Sequence, residues 1–130
     1  EGMKAHLKRT TMLVFAVTLH NIPEGMAVGL SFALAAQHGD DPALYAAAMA
    51  LAIGIGIQNF PEGAAISLPL RQEGMGPVKS FLCGSLSGFV EPVFGILTVL
   101  LAHLGEHSNV GTLGVMGGFL IMMILDVALG

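Results

Sequence analysis

The sequence has only one cysteine, Cys83. A single cysteine excludes an intramolecular disulfide and any CxxC redox or metal motif. Charged residues are also scarce, at 11% of the chain, whereas 54% of the residues are hydrophobic. In a soluble domain of this length, so few charges would leave much apolar surface facing water. We therefore expect an integral membrane protein that has no nucleic-acid partner.

Long apolar runs divide the chain into four predicted spans, at about residues 11–36, 43–70, 78–102 and 110–129. Each run reaches the roughly 20 residues that a helix needs to cross the hydrocarbon core of a bilayer. Short polar links connect the runs. The sequence therefore predicts an all-α membrane protein, a polytopic transmembrane helix bundle of about four spans, with residues 1–130 as a single transmembrane domain in the lipid bilayer.

The positive charges indicate how the spans are oriented. All the basic residues lie before the first span or around the turn between the second and third spans: Lys4, Lys8, Arg9, Arg71 and Lys79. Because successive spans alternate in direction, both regions lie on one side of the membrane. The positive-inside rule then places the N-terminus and the 71–79 turn in the cytoplasm. We expect the host to be a plasma (inner) membrane.

Polar residues interrupt three of the apolar runs near their centres. The first span contains HNIPEG at residues 20–25, the second QNFPEG at 58–63 and the third GFVEP at 88–92. At about 1.5 Å per helical residue, the polar side chains lie about 12–20 Å from the cytoplasmic side, near the middle of a core about 30 Å thick. A glutamate at that depth costs several kcal/mol unless it is paired, protonated or bound to a cation. These residues are therefore candidates for function.

Spacing within the strings places the polar side chains on one side of each helix. Glu24 follows His20 by one helical turn, and Glu62 follows Gln58 in the same way. Each string also holds a proline, which cannot donate to the preceding turn and so frees a backbone carbonyl. Because free carbonyls at this depth are tolerated only where they line a cavity, the prolines predict kinked, broken helices around a polar pocket.

The side chains gathered at this level offer imidazole nitrogen, carboxylate oxygen and amide oxygen, without thiolate. Such a set suits Zn²⁺, Fe²⁺, Mn²⁺ or Cd²⁺ and argues against a tight structural zinc site. Structural explanations compete with this one. A protonated glutamate could act as a hydrogen-bond partner between helices, and Asn21 or Asn59 could cap the carbonyls that the prolines free.

These strings resemble the ZIP family of divalent-metal transporters, for which paired PEG motifs are highly specific. By this resemblance the first three spans correspond to the fourth, fifth and sixth of the family's eight. The final string, GFLIMMILDVALG at residues 118–130, resembles the eighth. The resemblance implies a transport site, binuclear in some members, in which Glu91 reaches the second ion. The implied metal ligands are His20, Asn21, Glu24, Gln58, Asn59, Glu62 and Glu91.

The sequence also departs from the family pattern. Many members have histidine where Gln58 stands and an acidic residue where Asn59 stands. The family's first three spans and its seventh find no counterpart, so we expect a partial chain. If residues 110–129 directly follow the third span, they cross in the opposite sense to the family's eighth span. Otherwise, residues near 102–103 join pieces that are not neighbours in the full protein.

The resemblance implies transport of divalent transition-metal ions, with Zn²⁺ first and Cd²⁺, Fe²⁺ and Mn²⁺ as related cargo. We expect no enzymatic activity and no cofactor other than the transported ion. An intramembrane metalloenzyme and a proton or cation channel are the alternatives, although the chain has no HExxH motif. Expected partners are the remaining spans of the full transporter. A stripe of small residues could serve either an internal helix contact or a dimer with a second copy of the chain: Gly111, Gly114 and Gly118.

Overall fold

The computed structural model describes residues 2–39 and 41–104, together with the isolated positions 117, 120 and 124. The described ranges form helices α1 (Gly2–Gln37), α2 (Pro42–Gln72) and α3 (Pro77–Leu104). All three are long and apolar enough to cross a membrane. They contain the first three predicted spans, whereas the fourth predicted span, 110–129, lies outside the described residues apart from the isolated positions.

Short links set the helices antiparallel to their neighbours in sequence. At the start of α2, the Asp41 carboxylate accepts a hydrogen bond of 2.9 Å from the Ala43 amide, and Pro42 occupies the first helical turn. Side-chain capping of this kind satisfies an amide that has no partner within the helix. After α1 and α2 the chain turns at Gly39 and Gly74, whose φ angles are 69° and 92°. Glycine tolerates these left-handed conformations without steric cost.

The prolines lie inside continuous helices. Pro23 is within α1, Pro61 within α2 and Pro92 within α3, and helical backbone continues on both sides of each. The expectation of broken helices is therefore wrong for the described residues. A proline removes only one backbone donor, whereas a full break would leave several backbone groups without partners in an apolar environment.

Glycines bring α1 and α3 into backbone contact. A Cβ atom added to Gly25 would lie 2.7 Å from the Cα atom of Glu91, and one added to Gly29 would lie 3.0 Å from the carbonyl carbon of Gly95. Residue numbers increase together from the first contact to the second in both helices, so α1 and α3 run parallel. Small residues four positions apart allow membrane helices this close approach.

Helix α2 packs against both of the other helices and runs antiparallel to them. A Cβ atom on Gly84 of α3 would lie 3.3 Å from the carbonyl carbon of Gly63 of α2. Few apolar side chains are buried between the helices, and many large ones face outward, such as Phe60, which is 82% exposed. Outward apolar side chains of this kind fit contact with lipid or with further helices.

The α1–α3 contact predicts that Gly25→Ala weakens the bundle. The new methyl group would overlap the backbone of Glu91, and overpacking of this kind costs about 1–3 kcal/mol. Gly54→Ala is the matched control, because nothing lies within 4 Å of a Cβ atom at that position of α2. Thermal or denaturant unfolding in detergent should show a loss of stability for Gly25→Ala alone. Equal stability of the two variants would contradict the contact.

Candidate metal centre

Side chains of α1 and α2 form a polar cluster between the two helices. We define the His20 cluster as His20, Glu24, Gln58 and Glu62. One ligand atom from each of His20, Glu24 and Glu62 lies within 4.8 Å of the other two. Ligand atoms on a tetrahedral zinc ion lie about 3.4 Å apart. Small side-chain movements would therefore let these three residues hold one ion.

The imidazole and the carboxylates of this cluster are largely shielded. His20 Nε2 lies 3.4 Å from Glu24 Oε1, and the two side chains are 32% and 12% exposed. The pair is one helical turn apart on α1, as the motif spacing predicts. Nitrogen and oxygen ligands thus face the same point from one helix, and the Glu62 carboxylate completes the set from α2.

The Gln58 amide joins the two carboxylates of the His20 cluster. Its Nε2 atom donates to Glu24 Oε1 at 3.1 Å and to Glu62 Oε1 at 2.9 Å. Both distances are normal for N–H···O hydrogen bonds. An amide nitrogen carries two hydrogens, so one group can serve both carboxylates.

A second polar pair links α2 to α3. Asn59 Nδ2 donates a hydrogen bond to Glu91 Oε2, and Glu91 is buried. The Glu91 backbone lies against Gly25, which follows Glu24 in α1, and Asn59 lies one turn before Glu62 in α2. Carboxylates from three different helices therefore adjoin at one level.

Asn21 connects α1 to the backbone of α3. Its side chain is 1% exposed, and Nδ2 donates to the Ser87 carbonyl oxygen at 2.9 Å. The amide nitrogen thus ties two helices together instead of capping a carbonyl that Pro23 frees on its own helix. This bond turns Asn21 Oδ1 away from the Ser87 carbonyl, so the oxygen is available for another partner.

Several buried oxygens at this level lack a hydrogen-bond partner among the described residues. They are Asn21 Oδ1, Glu24 Oε2, Asn59 Oδ1, Glu62 Oε2 and Glu91 Oε1. Amide and carboxylate oxygens are acceptors, and leaving a buried one unpaired costs about 1–3 kcal/mol, or more if it is charged. A group of acceptors without donors is the environment that a cation satisfies. The donor set therefore fits a metal ion.

Sequence reasoning found every polar side chain in this arrangement but missed the groups that hold the side chains in place. The Ser87 carbonyl and the backbone contacts of Gly25 and Gly29 were not anticipated. The GxxxG spacing of Gly25 and Gly29 was a usable signal, since such pairs mark close helix contacts in membranes. A backbone carbonyl leaves no sequence signal.

The chain also matches the sequence model of a known protein family. The sequence model of the Zip family, described as ZIP zinc transporter, matches residues 1–112. The chain belongs to the ZIP family. Three helices of this ZIP chain are long and apolar enough to span a bilayer. This observation and the family membership show that the chain belongs to an integral membrane protein.

Curated relatives match most of this ZIP chain. It is 44% identical to zinc transporter ZIP11 of Xenopus tropicalis, over 92% of the chain and 35% of the relative. Human zinc transporter ZIP11 is 41% identical, over 92% of the chain and 34% of the relative. Zinc transporter GufA of Myxococcus xanthus is 34% identical, over 92% of the chain and 56% of the relative. No solved structure matches the chain.

This ZIP chain spans about a third of the length of the ZIP11 relatives and about half of GufA. The alignment with GufA is 149 residues long, more than the 130 residues of the chain itself. GufA therefore carries residues within the aligned region that have no counterpart here. This difference fits the expectation that family segments are missing from the ZIP chain.

Proposed function

We propose that this chain supplies the ion site of a membrane transporter for divalent transition-metal ions, with Zn²⁺ as the first candidate. The observation that carries the proposal is the convergence of His20, Glu24 and Glu62 from two helices, with ligand atoms within 4.8 Å of one another. The names of the curated relatives, zinc transporters, support Zn²⁺ as cargo. Cd²⁺, Fe²⁺ and Mn²⁺ accept the same nitrogen and oxygen ligands.

The chemistry of the donor set suits temporary binding. Imidazole and carboxylates are proposed as the primary ligands, and Asn21, Asn59 and Glu91 surround them with further oxygens. Mixed ligands without thiolate hold Zn²⁺ less tightly than the cysteine-rich sites of structural zinc domains. A transporter needs this weaker grip, because its ion must leave on the other side of the membrane.

In the proposed transport step, the ion sheds water as it enters the His20 cluster and exchanges that water for protein ligands. Rearrangement of helix bundles then opens the site to the cytoplasm. The remaining spans of a full-length transporter complete the pathway. This role is supported by the length of the relatives, because the chain covers only about a third to a half of each. A second copy of the chain is a further proposed partner.

We further propose that the N-terminus and the 71–79 turn face the cytoplasm of a plasma (inner) membrane. The Thr10 hydroxyl donates to the Glu73 carboxylate, which supports placing the start of α1 and the α2–α3 turn at the same end of the bundle. The basic residues Arg9, Arg71 and Lys79 are near that end. Positive residues favour the cytoplasmic side of membrane proteins.

A metal titration tests the proposed site. Zn²⁺ binding to the detergent-solubilised chain, followed by calorimetry or fluorescence, should saturate, and His20→Ala or Glu62→Ala should weaken it by more than about tenfold because each removes a ligand. The matched control is Asp41→Asn, which keeps an N-cap side chain far from the cluster. A metal-blind channel would show no saturable site, and unchanged affinity in both alanine variants would refute the ligand set.

Acid should weaken Zn²⁺ binding. Imidazole and carboxylate groups must lose their protons before they can bind a metal, so affinity should fall steadily as the pH is lowered from about 7.5 to about 5. Dissociation constants measured at several pH values check this expectation. An affinity that does not change across the range would count against imidazole and carboxylate ligands.

The orientation can be tested by cysteine labelling, because the chain has a single cysteine to remove. In a Cys83→Ser background, His38→Cys should react with a membrane-impermeant maleimide on intact cells, since it lies in the α1–α2 link. Gln72→Cys, at the end of α2, should react only after the membrane is permeabilised. The reverse pattern would invert the proposed topology.

A further inference from the structure

A groove between α2 and α3, which we name the Phe81 groove, has a cavity volume of about 580 Å³. Volumes of this size are typical of sites for small molecules. We propose that the groove holds one acyl chain of an anionic phospholipid, whose headgroup phosphate binds Arg71. Residues of both helices line the groove, among them Phe60, Gly63, Ser67, Phe81, Ser85 and Phe89.

Glycines keep the Phe81 groove open while the two helices approach closely. Gly63 of α2 and Gly84 of α3 both line it, and a Cβ atom added to Gly84 would lie 3.3 Å from the Gly63 carbonyl carbon. Neither glycine has a side chain to fill the space. The bordering side chains of Phe60 and Phe81 are 82% and 68% exposed. The result is an open groove with apolar aromatic borders, which is a surface that a hydrocarbon chain can contact.

The length of the Phe81 groove fits one leaflet of a bilayer. Along α3 its lining runs from Phe81 to Pro92, which is about 16 Å at 1.5 Å per helical residue. The hydrocarbon core is about 30 Å thick, so the groove covers roughly half of it. A further membrane-spanning helix would need a groove along the whole core. An acyl chain reaches only to the middle, as this groove does.

A positive charge lies at the outer end of the Phe81 groove. Arg71 follows Ser67 of the groove lining by one helical turn, so it shares that face of α2. Its Nη1 atom donates to the Met75 carbonyl oxygen at 3.1 Å, which places the guanidinium beside the α2–α3 turn. A guanidinium carries five N–H donors, so this single bond leaves others for a phosphate.

The acid of the α2–α3 turn does not oppose this charge at the groove. The Glu73 carboxylate accepts a hydrogen bond from Thr10 of α1, and none of the described α1 residues lines the groove. Lys79 adds a second exposed cation at the same end of the bundle. Basic residues at the membrane surface beside a site between helices favour anionic headgroups. An apolar groove that ends at Arg71 is therefore complementary to an anionic phospholipid.

Tryptophan fluorescence tests this proposal, because the chain has no tryptophan of its own. Phe81→Trp places a reporter in the groove, and Phe15→Trp is the matched control on α1, outside the groove and similarly exposed at 66%. The full chain is reconstituted in phosphatidylcholine vesicles that contain a small fraction of brominated phosphatidylglycerol, which quenches tryptophan on contact. We expect the brominated lipid to associate with the Phe81→Trp site about fivefold more strongly than with the Phe15→Trp site. Brominated phosphatidylcholine should show no such preference.

Further substitutions in the Phe81→Trp protein separate the headgroup contact from the acyl-chain contact. Arg71→Gln should abolish the preference for phosphatidylglycerol, whereas Arg9→Gln, an exposed arginine of α1 at the same end of the bundle, should preserve it. Ser85→Leu, which adds bulk inside the groove, should reduce quenching by the lipid.

Three results would overturn the proposal. Equal quenching at the two reporter positions would mean ordinary lipid contact, and weaker quenching at Phe81→Trp would mean that another helix or a second copy of the chain covers the groove. An equal loss of preference in Arg9→Gln and Arg71→Gln would mean attraction to surface charge without a site. Because the Phe15→Trp reporter is measured in the same variants, a variant that fails to insert is recognised by the loss of quenching at both positions.

Discussion

Repulsion between glutamates held at one level of an apolar bundle is the constraint on which the rest of this structure depends. Glu24, Glu62 and Glu91 come from three different helices. Carboxylate oxygens of Glu24 and Glu62 lie within 4.8 Å of each other, and the Glu91 backbone lies against Gly25, the residue after Glu24. Such a group is tolerated at membrane depth only if donors or cations compensate its charge. The described chain supplies one imidazole and two amide donors, and it leaves buried carboxylate oxygens without a hydrogen-bond partner. A divalent cation would provide the missing compensation.

The glycine contacts make this concentration of charge sterically achievable. Gly25 lies against the backbone of Glu91, so the α1 glutamate and the α3 glutamate cannot separate without loss of packing. Asn21 strengthens the same contact through its hydrogen bond to the Ser87 carbonyl. The PEG glycine of the first string thus has a direct physical role, because it sets the distance between two helices that carry acids.

Helix type, the three described spans and the common level of the polar residues could be predicted from the sequence. These features depend on local properties, namely apolar length and the fixed rise of an α-helix. Continuity of the helices through Pro23, Pro61 and Pro92 was not predicted, because it depends on the cost of the alternative in apolar surroundings. The donor role of Gln58 was hidden for another reason, since an amide can donate or accept and only its neighbours decide.

The central claim is that one divalent ion binds between His20, Glu24 and Glu62, and anomalous scattering from a Zn²⁺-soaked crystal tests it most directly. The account predicts a peak about 2.0–2.2 Å from an imidazole nitrogen of His20 and from carboxylate oxygens of Glu24 and Glu62. The result that would contradict it is a map in which Glu24 and Glu62 lie far apart on lipid-facing surfaces and the zinc peak lies elsewhere.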